Sequence, residues 1–338
     1  MILFILFNPK SPQPVSGQLQ PTDNDGLIHA LMLNHAGLAS SMEAPEAADG
    51  AWLHFDAGQP SVTEWLSAHG GLNAIAVGAL TSEETRPRVL RRGDNVVITL
   101  RGVNCLVDQD AEDMVSVRIW TNGTRMISAR LRQLPSTERL VAQLSAGDGP
   151  SSIPELLVDW IENIIDDMAE TMVKLEDDLT QAESAVDSDD PVFTRQTIFA
   201  IRKRALRLRR YMAPQREALT RLSSETPTWL DEYFRVRLRD ITDRLIRYIE
   251  DLDEIRDRAM LAQEELAARR ADEMNRKTYV FTIVAVVFLP LGFLTGLLGV
   301  NVGGVPGIDD PDAFNQLIVL CVGMSLVLLG YFKWRHWM

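Results

Sequence analysis

The chain has 338 residues, carries a formal net charge of −13 and contains two cysteines, Cys105 and Cys321. The length allows two or three domains. The acidic balance argues against a nucleic-acid partner, which calls for a basic surface. Two isolated cysteines make neither a disulfide framework nor a zinc CxxC site, and they suit a reducing compartment.

The chain opens on an apolar stretch, MILFILFNPK, with no basic residue before it and no small-residue cleavage site close behind. This is not the pattern of a signal peptide. With the Pro/Gln-rich stretch that follows, residues 1–21 read as a flexible leader.

Residues 22–150 read as an α/β domain with a mixed sheet. Leu27–Leu33, Trp52–Asp56, Ala74–Leu80, Asn95–Leu100 and Val115–Trp120 are apolar or alternating runs of strand length. Asn122-Gly123 marks a hairpin turn between Val115–Trp120 and Arg125–Arg130. Thr63–His69 and Thr137–Ala146 read as helices.

Residues 151–278 read as a helical stalk. Ser151, Ser152 and Pro154 supply a cap and a first-turn proline. The helix from Glu155 to about Val186 has an apolar stripe (Leu157, Ile161, Ile164, Met168, Met172, Leu175, Leu179) and an acidic opposite face. After Ser188–Pro191 comes a basic helix, about Phe193–Leu222. An acidic helix before a basic one predicts an antiparallel pair, either as two solvated faces that neutralise each other or with one face lining an ion vestibule. Pro227 opens a third helix. Its stripe from Leu230 to Leu266 alternates steps of three and four, as in a coiled-coil seam. Neither glycine nor proline interrupts Thr228–Leu289, so a helix of about 70 residues is expected, roughly 100 Å at 1.5 Å per residue.

Residues 279–338 read as a transmembrane hairpin. Tyr279–Gly299 and Phe314–Phe332 are uncharged. Each is close to the ~20 residues that a helix needs to cross a bilayer core. Arg276 and Lys277 precede the first span, Lys333 and Arg335 follow the second, and the loop 302–313 has neither Lys nor Arg. Positive-inside asymmetry then places both termini in the cytoplasm and the loop outside. Along the first span, Asn275, Thr278, Thr282, Ala285, Leu289, Gly292 and Gly296 form a face of mostly small or weakly polar residues. Val280, Ile283, Val287, Leu291, Leu294 and Leu298 form a bulky one. A small-residue face can be a packing seam between helices, or it can line a narrow conduit. Two helices cannot enclose a conduit, so conduction implies a cyclic homo-oligomer. Neither span holds an ionisable group, so selectivity falls to neutral oxygens: the Asn301 amide and carbonyls near Gly299. Asp309, Asp310 and Asp312 in the loop would concentrate cations at the mouth.

The run Phe288-Leu289-Pro290, then Thr295-Gly296, then Gly299-Val300-Asn301, a short loop, and a second span closing on Tyr331-Phe332-Lys333-Trp334 resembles the CorA-type divalent-cation transporters. Gly299-Val300-Asn301 replaces the usual GMN, and the glycine-rich loop after it is similar to the zinc transporter (ZntB) branch, as are Trp52–Asp56 and Arg86-Pro87-Arg88. The resemblance implies a homopentameric funnel in a bacterial inner membrane. It implies first spans lining a pore at Asn275, Thr278, Phe281, Ala285, Leu289, Gly292, Gly296 and Asn301, with Gly299-Val300-Asn301 as the selectivity ring. It implies zinc as the transported ion, with proton coupling in that branch, although no proton-carrying group lies in the spans. A magnesium, cobalt or nickel channel is the alternative within the family, and a non-conducting membrane-anchored scaffold or sensor the alternative outside it. No enzyme motif and no cofactor site emerges. The five histidines, His29, His35, His54, His69 and His336, show no ligand spacing and read as ordinary core or surface residues.

Overall fold

The structure, a computed structural model, describes residues 26–34, 36–42, 48–83, 86–104, 113–185, 191–300, 307 and 310–335. The proposed leader, Cys105, Asn301 and Asp309 lie outside them. The chain divides into two compact units, residues 1–262 and 263–338.

The first unit is built on a seven-stranded sheet. Its strands are β1 (Leu27–Leu33), β2 (Ala39–Ser41), β3 (Ala51–Asp56), β4 (Arg88–Arg92), β5 (Asn95–Gly102), β6 (Val115–Thr121) and β7 (Met126–Arg130). The spatial order is β2-β1-β3-β7-β6-β5-β4. Only β3 and β7 pair in parallel; every other pair is antiparallel. The sheet is therefore mixed, as the sequence led one to expect. β2 and β4, its two edges, are short and polar, and carry too weak an alternation to stand out in the sequence.

Helices α1 (Pro60–Ala68) and α2 (Ala74–Thr81) cover one face. Val62, Leu66, Val77 and Leu80 pack there with Leu53, Phe55, Val97, Trp120 and Ile127. α2 corrects the reading of Ala74–Leu80 as a strand. A continuous apolar run has no period to separate strand from buried helix. The deciding residue is Asn73, whose side-chain oxygen accepts the Ala76 N–H at 2.8 Å and caps the helix.

Helices α3 (Pro135–Ala146) and α4 (Ile153–Ser184) lie on the other face. There Trp160 meets Trp52 edge-on, ring centroids 5.2 Å apart. A Cβ on Gly102 would come within 2.7 Å of Leu134 and 3.6 Å of Ile164. The start of α4 is capped as predicted. Ser152 accepts the Glu155 N–H, and the Glu155 carboxylate accepts from both the N–H and hydroxyl of Ser151.

The β6–β7 connection is a four-residue loop, as expected, shifted by one residue to 122–125, since Thr121 pairs with Met126. Asn122 holds it by accepting the N–H groups of Thr124 and Arg125. Gly123 sits at φ +88°, and a Cβ there would lie 2.1 Å from the Trp229 ring. Trp229 in turn donates to the Asp94 carbonyl at 2.7 Å, while Thr228 donates twice to the Asp94 carboxylate. These bonds hold the Asp94 carboxyl below its ordinary range. They also tie the lead-in of the last long helix to two hairpin tips.

α5 (Pro191–Ser224) and α6 (Glu232–Leu298) follow. The stripe of α6 is buried: Leu238, Ile241, Leu245, Leu252, Ile255, Ala259, Ala262 and Leu266 are all inaccessible or nearly so. It needs no second chain to cover it.

Candidate ion path in the membrane hairpin

The second unit contains the end of α6 and the helix α7 (Ala313–Trp334). Both are long and apolar enough to cross a bilayer. Phe281, Phe288, Phe293, Val319, Leu326 and Val327 are each more than three-fifths exposed. An apolar surface of this extent requires lipid or protein around it, not water.

The two faces of the first span part company in the structure. Ile283, Val287, Leu291, Leu294 and Leu298 are half-buried, whereas Val280 from the same bulky face is exposed. On α7, Leu317, Cys321, Met324, Ser325 and Leu328 are half-buried and Phe332 is buried, again at steps of three and four. On both helices the half-buried positions therefore form one stripe at helical spacing.

The small face stays open. Asn275, Thr278, Thr282, Ala285, Leu289, Gly292 and Gly296 are exposed, as is Phe281 at its edge. A Cβ on Gly292 or Gly296 would meet nothing within 4 Å. These glycines are not demanded by packing inside the chain. Gly299 is different, because a Cβ there would press to 2.8 Å from the Thr295 carbonyl. Thr282 and Thr295 spend their hydroxyl protons on backbone carbonyls one turn back, Thr278 and Leu291. Val300 is exposed beyond the helix end. The structure thus leaves the predicted small face exposed along one side of α6 among the described residues.

In the loop, Asp310 accepts the Asp312 N–H at 2.9 Å and the Gln316 amide at 3.4 Å. Asp312 precedes α7 without a side-chain cap bond. Among the described residues no group of three or more His, Cys, Asp or Glu is placed to hold a metal.

The acidic face of α4, which lies against α5, is also bound by arginines of α6. Arg237 pairs with Asp159 and Glu162, Arg244 with Glu162 and Asp166, and Arg258 with Glu183. α5 contributes Arg204 to Asp178 and Arg209 to Asp253 of α6. Burial raises the Asp159 and Asp166 carboxyls. Burial also acts on Glu162, but hydrogen bonds from Arg237 and Arg244 outweigh it and hold that carboxyl below its usual range. The sequence signal for this clamp was the seven-residue spacing of Arg237 and Arg244, with Arg258 two such steps further on.

A mixed α/β domain followed by a long helix and a closing helix, both apolar enough to cross a bilayer, fits a membrane protein. The family described as CorA-like Mg2+ transporter protein matches residues 47–334. The chain belongs to this family, whose members are ion transporters and not enzymes. It is 35% identical to the "Zinc transport protein ZntB" of Pectobacterium carotovorum, over 92% of this chain and 94% of that one. It is 34% identical to the "Divalent cation transporter CmaX" of Pseudomonas aeruginosa, over 94% and 98%. The solved structure of full-length CmaX superposes with a TM-score of 0.80, covering 94% of this chain and 99% of the other. The fold alone is shared with the CorA magnesium transporter of Methanocaldococcus jannaschii, at 16% identity, a TM-score of 0.79 and coverage of 92% and 99%.

Proposed function

We propose that the chain is one subunit of a cyclic homopentamer that admits divalent cations, zinc foremost, across a bacterial inner membrane. The observation that carries this reading is the open small-residue face of α6. Its bulky side is half-buried, and the side with Gly292 and Gly296 is exposed and meets nothing among the described residues, so five such faces around an axis would line a path. In this reading residues 22–150 and 151–278 form the cytoplasmic funnel, and 279–338 form the membrane ring with both termini inside. Asn275, Thr278, Phe281, Ala285, Leu289, Gly292 and Gly296 line the path, and Gly299, Val300 and Asn301 form its outer ring. The names of the 34–35% identical relatives, one a zinc transporter and one a divalent cation transporter, support the substrate class. Valine in place of the methionine of GMN, and a loop of glycines and aspartates, shift the weight from magnesium to zinc. The spans carry no Asp, Glu, Lys, Arg or His, so the ion meets neutral oxygens and keeps part of its water shell. Asp309, Asp310 and Asp312 would raise the local cation concentration outside.

The test is flux into proteoliposomes, zinc against magnesium, with and without a pH gradient. Asn301→Leu removes the amide that would hydrogen-bond the ion's water shell. The loss of two net hydrogen bonds at about 1 kcal/mol each slows entry more than tenfold. Gly296→Leu narrows the path from inside the membrane and leaves the fold unstrained. Both variants should elute as the wild type and lose uptake. Wild-type flux through either, in a correctly assembled oligomer, refutes the path.

A further inference from the structure

Strand pairing joins two histidines that show no ligand spacing in the sequence. His29 of β1 and His54 of β3 are register partners. Their rings are nearly parallel (14°) with centroids 6.1 Å apart. His54 is wholly buried, and the Nε2 atoms of both rings are enclosed without a hydrogen-bond partner.

The protonation state of His54 follows from Ser128. The Ser128 hydroxyl oxygen lies 2.8 Å from Trp52 Nε1, 2.7 Å from His54 Nδ1 and 3.4 Å from the Leu53 carbonyl. An indole N–H can only donate and a carbonyl can only accept. All three contacts are hydrogen bonds only if the hydroxyl proton goes to Leu53 and His54 Nδ1–H donates to Ser128. His54 Nε2 then carries a bare lone pair. Ser128 lies on β7, on the side of β3 away from β1. The other nitrogen of the ring, Nε2, is enclosed and takes no part in the Ser128 contacts. The Trp160 ring packs edge-on against His54 at 5.9 Å and offers only another N–H, itself without an acceptor. The charged groups facing the pair are Arg130 of β7 and Glu138 of α3, which bind each other at 3.2 Å. Burial, Arg130 and His29 keep His54 neutral, the form a metal ligand must have.

We propose that His29 and His54 form a two-imidazole site for a late transition-metal ion, with Ser128 as the positioning residue that fixes the His54 tautomer. Such an ion would sit about 2.0–2.1 Å from each nitrogen. Imidazole selects zinc, copper and nickel over magnesium. His29 is only partly buried, so water can complete the shell on its side. With two protein ligands the site exchanges its ion, unlike a closed four-ligand structural centre. The site lies in the sheet of the first unit and stands or falls separately from the membrane path.

The test uses the full chain in detergent, stripped of metal and given one equivalent of Cu2+ as probe. Pulsed EPR counts the imidazole nitrogens bound. Two are expected in the wild type, no more than one in His29→Gln, and two in the control His69→Gln. Ser128→Ala should weaken Zn2+ binding, measured by displacement of the copper, by about 10–100-fold. Far-UV circular dichroism and elution volume establish that each variant is folded. Absence of a two-imidazole signal in the folded wild type overturns the site and leaves a bridging water as the occupant. An undiminished signal in folded His29→Gln, or displacement by Mg2+ as readily as by Zn2+, overturns it equally.

Discussion

Glu162 is the member of the α4–α6 clamp that two arginines share, and Glu162→Gln tests whether the clamp holds the helices together. The carboxylate accepts from Arg237 and Arg244, each at 2.5 Å. Its side chain is 30% exposed and theirs are 25% and 21%. A buried charge-assisted hydrogen bond contributes roughly 1.5–3 kcal/mol, and partial exposure cuts this to about half. The glutamine oxygen can still accept one bond, and each arginine keeps a second carboxylate, Asp159 at 2.8 Å or Asp166 at 2.6 Å. The net loss is therefore about 1–2 kcal/mol, a fall of about 1.5–3 °C in the melting temperature of a chain of 338 residues. The pH dependence has a definite sign. Because the folded Glu162 pKa is depressed, its stabilisation is complete above the unfolded value of about 4.3 and disappears as pH falls through the lower folded value. Wild type and variant should differ at pH 7 and converge in acid. The assay is a thermal melt of the full chain in detergent across that range. Equal melting at pH 7, or a gap that stays constant into acid, refutes the clamp.

Three further outcomes are expected. Gly123→Val puts a β-branched residue at φ +88° and into the Trp229 ring, so the chain should melt lower by about 2–4 kcal/mol of stability and Trp229 emission should shift red; an unchanged melt means the loop and ring separate freely. A cysteine at Gly304 should react with an impermeant thiol reagent from outside intact cells, and labelling only after lysis would invert the topology. Neutralising Asp309, Asp310 and Asp312 together should depress flux most at low ionic strength, because exposed charges are screened over about 10 Å at 0.1 M salt; salt-independent flux in both proteins removes the steering role.

Most of the architecture was legible where a residue pattern has one physical outcome. The Ser151–Pro154 cap, the alternation in β5 and β6 and the two uncharged spans each allow one structure, and each formed. Ala74–Leu80 failed because an unbroken apolar run has no period, and the evidence for helix was one capping side chain. The acidic and basic helices α4 and α5 do lie against each other, as their charges suggest. What charge complementarity left out is that α6 shares the acidic face of α4, through the seven-residue register of Arg237 and Arg244. The histidine pair was illegible for a different reason. His29 and His54 meet through strand register, which depends on every hydrogen bond of the β1–β3 ladder and leaves no spacing signature.

The apolar stripe of α6 bears on assembly in a way that the sequence pattern alone could not. A heptad seam of this length invites a partner chain, yet Leu238 to Leu266 is buried in a single copy by the chain's own elements. The case for an oligomer therefore rests on the membrane unit. There the bulky face of α6 is half-buried, whereas the face with Gly292 and Gly296 is exposed. Lipid has little to gain from glycine, because close approach of backbones is what small residues permit. A face that is smooth, nearly apolar and unoccupied is spent either on a neighbouring helix or on a path between helices. In a ring of identical subunits one face serves both ends: its edges touch the neighbours on either side and its centre faces the axis. Phe281 and Leu289 are the large residues on that side, and they mark where such a path would be narrowest within the membrane.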